Sequence, residues 1–164
     1  MNKSKNLCNC CYKNTLISFI DLGETPLANS YTKKIIGLKY YPLHVFYCEN
    51  CHLVQHNTKI KGESIFNYYQ YFSSYSSGFV KHSKQNILRL IKKYKIDITK
   101  TVTEVASNDG YLLKHLIGSG INFYGIEPAK NISEYANKSG VRTINKYLNQ
   151  KSAKSIIKKI KNQI

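Results

Sequence analysis

Thr101-Val-Thr-Glu-Val-Ala-Ser-Asn-Asp-Gly-Tyr-Leu-Leu113 is the stretch from which the fold is read. Val102, Val105 and Ala106 form a short apolar run, as a buried strand would. Ser107 to Gly110 is a tight polar turn, and from Tyr111 onward the pattern predicts the first turn of a helix. Further along, Tyr124-Gly-Ile-Glu127 predicts a second strand that ends in an acid. Strand, glycine-containing turn, helix, second strand and terminal acid make the nucleotide half-site of an open α/β sheet. Ligands of such sheets sit at the carboxyl ends of the strands, and the acid accepts from a ribose hydroxyl pair.

The turn Ala106-Ser-Asn-Asp-Gly110 departs from G-x-G-x-x-G, because only Gly110 remains. One glycine among small polar side chains leaves no phosphate cradle. That points to a ligand without phosphates, S-adenosylmethionine rather than NAD. Glu104, near the end of the first strand, and Asp109, in the turn, are placed to meet the ammonium of its methionine part. Glu127 is placed to hold the ribose diol. Ser107, Asn108, Gly110 and Pro128 complete the candidate cofactor site.

Beyond this half-site, Asn131 to Asn137 predicts a helix with Ile132, Tyr135 and Ala136 on one face. Val141 to Ile144 predicts a third strand, and residues 150–161 a basic helix striped by Ile156, Ile157 and Ile160. A doubly wound sheet normally has more strands than these, so the sheet reads as incomplete. An exposed edge at the third strand would be a liability.

Ahead of it, cysteines fall as Cys8-x-x-Cys11 and Cys48-x-x-Cys51. A C-x-x-C turn aims two thiolates at one ion, and two such knuckles give the tetrahedral four-cysteine site of structural zinc. Four thiolates leave no open position for catalysis at the metal. Cys10, inside the first knuckle, reads as a bystander, and His52 and His56 are not counted as ligands. Leu16 to Ile20 predicts a strand, Asp21 to Pro26 a turn, and Tyr41 to Tyr47 a half-buried strand. A module this small needs the metal to supply folding free energy its core cannot.

Between these parts, Tyr68-Tyr-Gln-Tyr-Phe-Ser-Ser-Tyr-Ser-Ser-Gly78 is dense in hydroxyls and aromatics. It reads as a linker whose rings pack on the zinc module. The alternative is a loop folded over the nucleotide site. Val80, Ile87, Leu90, Ile91 and Tyr94 then recur at helical spacing, with Ser76 or Ser77 as the cap and lysines in the last turn. The expected division is 1–63, a zinc-binding domain; 64–100, the Tyr/Ser-rich loop and connecting helix; and 101–164, the first part of a cofactor-binding domain.

The 164 residues carry 25 Lys+Arg against 9 Asp+Glu, a formal net charge of +16. This balance raises nucleic acid as a partner. The lysines are scattered, though, and read as solvated faces; the field also suits an anionic small substrate. The N-terminus has no apolar core of signal length, and no run approaches a membrane span. The expectation is a cytoplasmic protein with reduced cysteines and no membrane partner.

Taken together and in order, six stretches resemble the N-terminal part of the S-adenosylmethionine-dependent C-methyltransferases that act on nucleotide-linked deoxysugars. They are the paired knuckles, Asp21-Leu-Gly-Glu-Thr-Pro-Leu-Ala-Asn29, Cys48-Glu-Asn-Cys-His-Leu-Val-Gln55, Tyr69-Gln-Tyr-Phe-Ser-Ser-Tyr-Ser76, Glu104 to Leu113, and Gly125-Ile-Glu-Pro-Ala129. The resemblance runs from about residue 8 to 147. It implies an α/β chain: a small zinc-ribbon-like N-terminal module followed by an incomplete Rossmann-like class I methyltransferase core. It implies a base that removes the proton alpha to a keto group of a nucleotide-sugar, and an enolate that takes the methyl group. It makes Tyr69 and Tyr71, and more weakly His82, catalytic candidates. The family's principal base lies in a motif beyond residue 164. The chain is therefore expected to be an incomplete or split enzyme, inactive alone, with a second chain as a possible source of the C-terminal half.

Two other functions stand beside this one. A basic zinc module that binds RNA or DNA would rest on the knuckles and the charge, although the knuckles lack the aromatic–basic interleaving of base stacking. A non-catalytic partner that completes another chain's sheet is the third.

Overall fold

Tyr40–Cys48 is rich in aromatic residues, and it forms the middle strand of an antiparallel sheet. The structure is a computed structural model and describes residues 7–29, 31–33, 36–56 and 58–161. Residues 1–6, read above for a targeting signal, lie outside them. The chain divides into two units, Met1–Ile65 and Phe66–Ile164.

In the first unit, β1 (Leu16–Pro26), β2 (Tyr40–Cys48) and β3 (Val54–His56) pair in the order β1-β2-β3. Asp21 to Pro26, expected as a turn, instead continues β1. The register slips between Ser18 and Ile20 and again between Asp21 and Glu24. Gly23 takes φ +70° and its N–H donates to Asp21 Oδ1 at 2.9 Å. Turn-forming residues here make a bulge that bends the strand without reversing it. Among the described residues of this unit only Cys8, Cys48 and Gln55 are buried, while Ile17, Phe19, Ile20 and Leu22 of β1 are exposed. The described residues of this unit form no aliphatic core; the cysteines occupy its place. A single helical turn, α1 (Glu63–Phe66), falls where this unit ends.

The second unit opens with a loop and a 3-10 turn at Ser73–Tyr75, followed by α2 (Ser77–Tyr94). Ser76 caps α2 by accepting from Phe79 N–H at 3.2 Å. The helix ends where Lys95 turns left-handed and its N–H reaches the carbonyls of Ile91 and Lys92. Lys92 and Lys93 sit in the last turn, where the helix dipole favours cations.

A parallel sheet follows: β4 (Thr101–Val105), β5 (Asn122–Ile126) and β6 (Thr143–Ile144), ordered β4-β5-β6. α3 (Lys130–Lys138) separates β5 from β6, and α4 (Gln150–Lys161) comes last. One face packs Phe123 with Ile87, Leu113, Leu116, Ala136 and Val141, joined by Ile91 and Val102. The other packs Ile126 and Ile144 with Ile156 and Ile160 of α4. Helices therefore cover both faces, as a parallel sheet requires. Burial of each large side chain here contributes about 1.5–3 kcal/mol.

The helix expected from Tyr111 is only a 3-10 turn, Leu113–Leu116. Gly118 and Gly120, at φ +80° and +78°, stop it. The three-residue spacing suits a 3-10 turn, because Leu113 and Leu116 then fall on one face, and both are buried.

Candidate functional site

The two knuckles fold alike. Cys8 N–H donates to Lys13 O and Tyr12 N–H to Cys8 O, while Cys48 N–H donates to Leu53 O and His52 N–H to Cys48 O. Tyr12 and His52 both take positive φ, 58° and 62°. His52 thus completes a turn, and its ring meets the Tyr47 hydroxyl. The sulfurs of Cys8, Cys11, Cys48 and Cys51 lie within 4.8 Å of one another. Cys8 and Cys51 are 3.5 Å apart, and Cys11 and Cys48 are 3.6 Å apart. Zinc–sulfur bonds of about 2.3 Å in a tetrahedron set sulfurs about 3.8 Å apart, so the group fits the ion. Cys10 is exposed and outside the cluster; its N–H points at Cys8 Sγ, 3.4 Å away.

Neighbours tune the sulfurs. The Thr15 hydroxyl, 3.1 Å from Cys48 Sγ, leads the effects that bring that thiol down to about 6. The Cys11 backbone N–H leads those that lower Cys8. At Cys51 the Leu53 N–H acts downward, but burial and the neighbouring sulfurs outweigh it and push the thiol up to about 12. Without a cation the Cys51 thiol keeps its proton beside its neighbouring sulfurs; a divalent metal removes that conflict. The buried Gln55 accepts from Asn9 N–H at 2.9 Å, tying the first knuckle to β3.

In the second unit, Ser107, Asn108, Asp109 and Gly110 follow β4 and Glu127 follows β5, all buried. Ala106, Asn108 and Gly110 are left-handed at φ 57°, 47° and 80°. A β-carbon on Gly110 would stand 2.7 Å from Val141 Cγ2, so glycine is needed for contact as well as for angle. A β-carbon on Gly125 would strike Ser107 Oγ, so that glycine lets the turn close over β5. Glu127 Oε2 accepts from Asn108 N–H at 3.0 Å, and Oε1 from Ala129 N–H at 2.8 Å. Two acceptor positions of the carboxylate remain free of these bonds. Burial raises Glu127 despite both donors.

Glu104 is the fourth residue of β4, ahead of the turn. Burial is the main force pushing its carboxyl up to about 7; the Tyr111 hydroxyl opposes, and Asp109 and Glu127 add to the rise. Tyr111 is pushed up to about 12, first by burial and then by the charge of Glu104. Glu104 Oε2, Ser107 Oγ and Asp109 Oδ1 are buried without hydrogen-bond partners. Orphaned acceptors at strand ends are what a cationic, hydroxyl-bearing ligand satisfies.

The Tyr/Ser run crosses these strand ends. Ser73 N–H donates to Asn108 Oδ1 at 2.9 Å, and Ser74 N–H to Asp109 Oδ2 at 3.1 Å. Asn108 Nδ2 donates to Tyr71 O at 3.2 Å. The Phe72 ring packs on Tyr75 and Tyr135. Of the two readings offered for this run, these bonds draw the loop over the turn that follows β4. The Tyr69 and Tyr71 rings meet edge-on, 6.4 Å apart. His82 is exposed on α2 and shares none of these bonds. Tyr111, whose hydroxyl meets Glu104, and Asn131, whose amide bonds the Tyr69 backbone, were not among the residues expected from the sequence. A hydroxyl following the turn, and an amide in the first turn after Glu127-Pro128, were the available signals.

Residues 8–66 match the family model described as "Putative zinc binding domain". The chain is 26% identical over 140 residues to the C-methyltransferase NovU of Streptomyces niveus, covering 84% of this chain and 33% of that protein. The chain therefore spans about a third of the length of that curated relative. It resembles the N-terminal portion of a C-methyltransferase. Among the described residues no helix is long and apolar enough to cross a membrane.

Proposed function

We propose that this chain carries the methyl-donor site of a C-methyltransferase whose acceptor is a nucleotide-linked keto-deoxysugar. In this reading the second unit is the Rossmann-like part that binds S-adenosylmethionine, and the first is a structural zinc module. The observation that carries it is the row of acids at the strand ends. Glu127 is held rigid by two backbone donors, with Glu104 and Asp109 keeping unpartnered oxygens nearby.

The donor supplies an electrophilic methyl group on a sulfonium. Glu127 accepts from the two ribose hydroxyls. Glu104 and Asp109 face the ammonium, and Ser107, Asn108, Gly110 and Pro128 shape the floor. Tyr69 and Tyr71 form the wall on the acceptor's side. With the donor held there, the chemistry it would supply is transfer of that methyl group to the carbon nucleophile left when a base removes the proton alpha to the keto group, the sulfur leaving as a neutral thioether. Likeness to a C-methyltransferase supports the reaction class; the deoxysugar rests on the sequence motifs.

Calorimetry with zinc-loaded protein and S-adenosylhomocysteine tests this. One site per chain is expected. Glu127→Ala removes two hydrogen bonds to a charged acceptor, a loss of about a hundredfold or more in affinity. No binding heat in the wild type, or equal affinity in Glu127→Ala, rejects the reading.

A further inference from the structure

Two asparagines grip the same loop, each from beyond the carboxyl end of one of two neighbouring parallel strands. Asn131, in the first turn of α3, accepts from Tyr69 N–H at 3.1 Å and donates from Nδ2 to Tyr69 O at 2.7 Å. Asn108, in the turn after β4, accepts from Ser73 N–H and donates to Tyr71 O. Each amide matches both backbone groups of an extended segment, as a neighbouring strand would. The same two segments bracket Glu127, through Asn108 N–H on one oxygen and Ala129 N–H on the other. Loop, turn, acid and helix start thus form one hydrogen-bonded ring across the ends of β4 and β5.

We propose that Asn131 and Asn108 are positioning residues that seat residues 69–74 over the strand ends and so build one wall of the ligand site. Neither has to touch the reacting atoms. Asn131 acts through Tyr69, and Asn108 acts through Tyr71 and Ser73. A ligand drawn onto Glu127 stiffens both segments that hold the loop, so occupancy and the placement of Tyr69 and Tyr71 are coupled. The coupling rests on the donor-site reading above; the seating of the loop does not.

The test is amide hydrogen exchange on the zinc-loaded full chain, with and without S-adenosylhomocysteine, paired with calorimetry. In the wild type the Tyr69 and Ser73 amides are expected to be protected without ligand and more protected with it. Asn131→Ala removes both bonds to Tyr69 and should speed its exchange by about tenfold or more. Gly125 N–H, bonded to Arg142 O in the sheet, should keep its protection and so reports an intact fold. Asn131→Asp keeps an acceptor for Tyr69 N–H and suits a helix start. It should restore part of the Tyr69 protection, which a general packing defect would not do. Ligand affinity should fall about tenfold in Asn131→Ala and less in Asn131→Asp.

Equal Tyr69 exchange in wild type and Asn131→Ala overturns the seating. Unchanged affinity in Asn131→Ala, with a wild type that binds, overturns the coupling alone. A wild type that does not bind rejects the donor site and the coupling with it, and the exchange comparison still decides the clamp.

Discussion

Glu104→Gln tests whether a half-closed, acid-lined site is built at the end of β4. The carboxyl is pushed from an ordinary 4.5 up to about 7, chiefly by burial. In the unfolded chain it ionises near its ordinary value. Between these values the folded protein binds a proton that the unfolded chain has lost, so stability falls as pH rises from about 4.5 to about 7 and then levels. At about 1.4 kcal/mol per pH unit the gap amounts to about 3 kcal/mol, an upper figure because part of the side chain reaches solvent. Glutamine keeps the shape and cannot ionise. Urea unfolding of the zinc-loaded protein should therefore show little difference between Glu104→Gln and wild type at pH 5. At pH 8 the variant should be more stable, by about 2–3 kcal/mol. A cationic ligand reverses the preference: the wild type should bind S-adenosylmethionine more tightly as pH rises through about 7, and the variant should lose that dependence. Equal stability offsets at both pH values, or a less stable variant at pH 8, would refute the reasoning.

Gly110→Ala combines a left-handed backbone angle with a clash on Val141 and should cost about 2–4 kcal/mol, read as a lowered urea midpoint. Chelation should release one zinc per chain and abolish exchange protection in β1 and β2, because their unit buries cysteines in place of an aliphatic core. Metal analysis should find full zinc in Cys10→Ser and none retained through dialysis in Cys51→Ser, since only the latter belongs to the sulfur cluster. Affinity for S-adenosylhomocysteine should barely respond to salt despite the formal charge of +16; a steep fall would favour phosphate contacts and a nucleic-acid partner.

The local signals were legible wherever the physics is local. Paired C-x-x-C spacing dictated the knuckles because two thiolates three residues apart must converge on one point. The apolar stripe of α2, its serine cap and its lysine-rich end follow from helical periodicity and the dipole. The run from Thr101 to Gly110 with Glu127 foretold a parallel strand pair and an acid at its end, but not its burial: Val105 and Ala106, expected inside, are exposed on the outer strand of the described sheet. Misreadings fell where one local preference met a longer-range demand. Asp21 to Pro26 has turn chemistry, yet pairing with Tyr40 to His44 kept it in the sheet as a bulge. Tyr111 onward has helical chemistry, yet the left-handed backbone at Gly118 and Gly120, which leads the chain into β5, cuts it to a 3-10 turn.

Only the tertiary structure decided where the Tyr/Ser run lies and what Asn131 does. Its bond to Tyr69 joins residues 62 positions apart, and no periodicity or spacing rule reaches that far. The rise of the Glu104 carboxyl is likewise a property of burial, which a chain acquires only when distant segments close around it. Residue types chose the chemistry that is possible here; packing chose which of those groups lost their water.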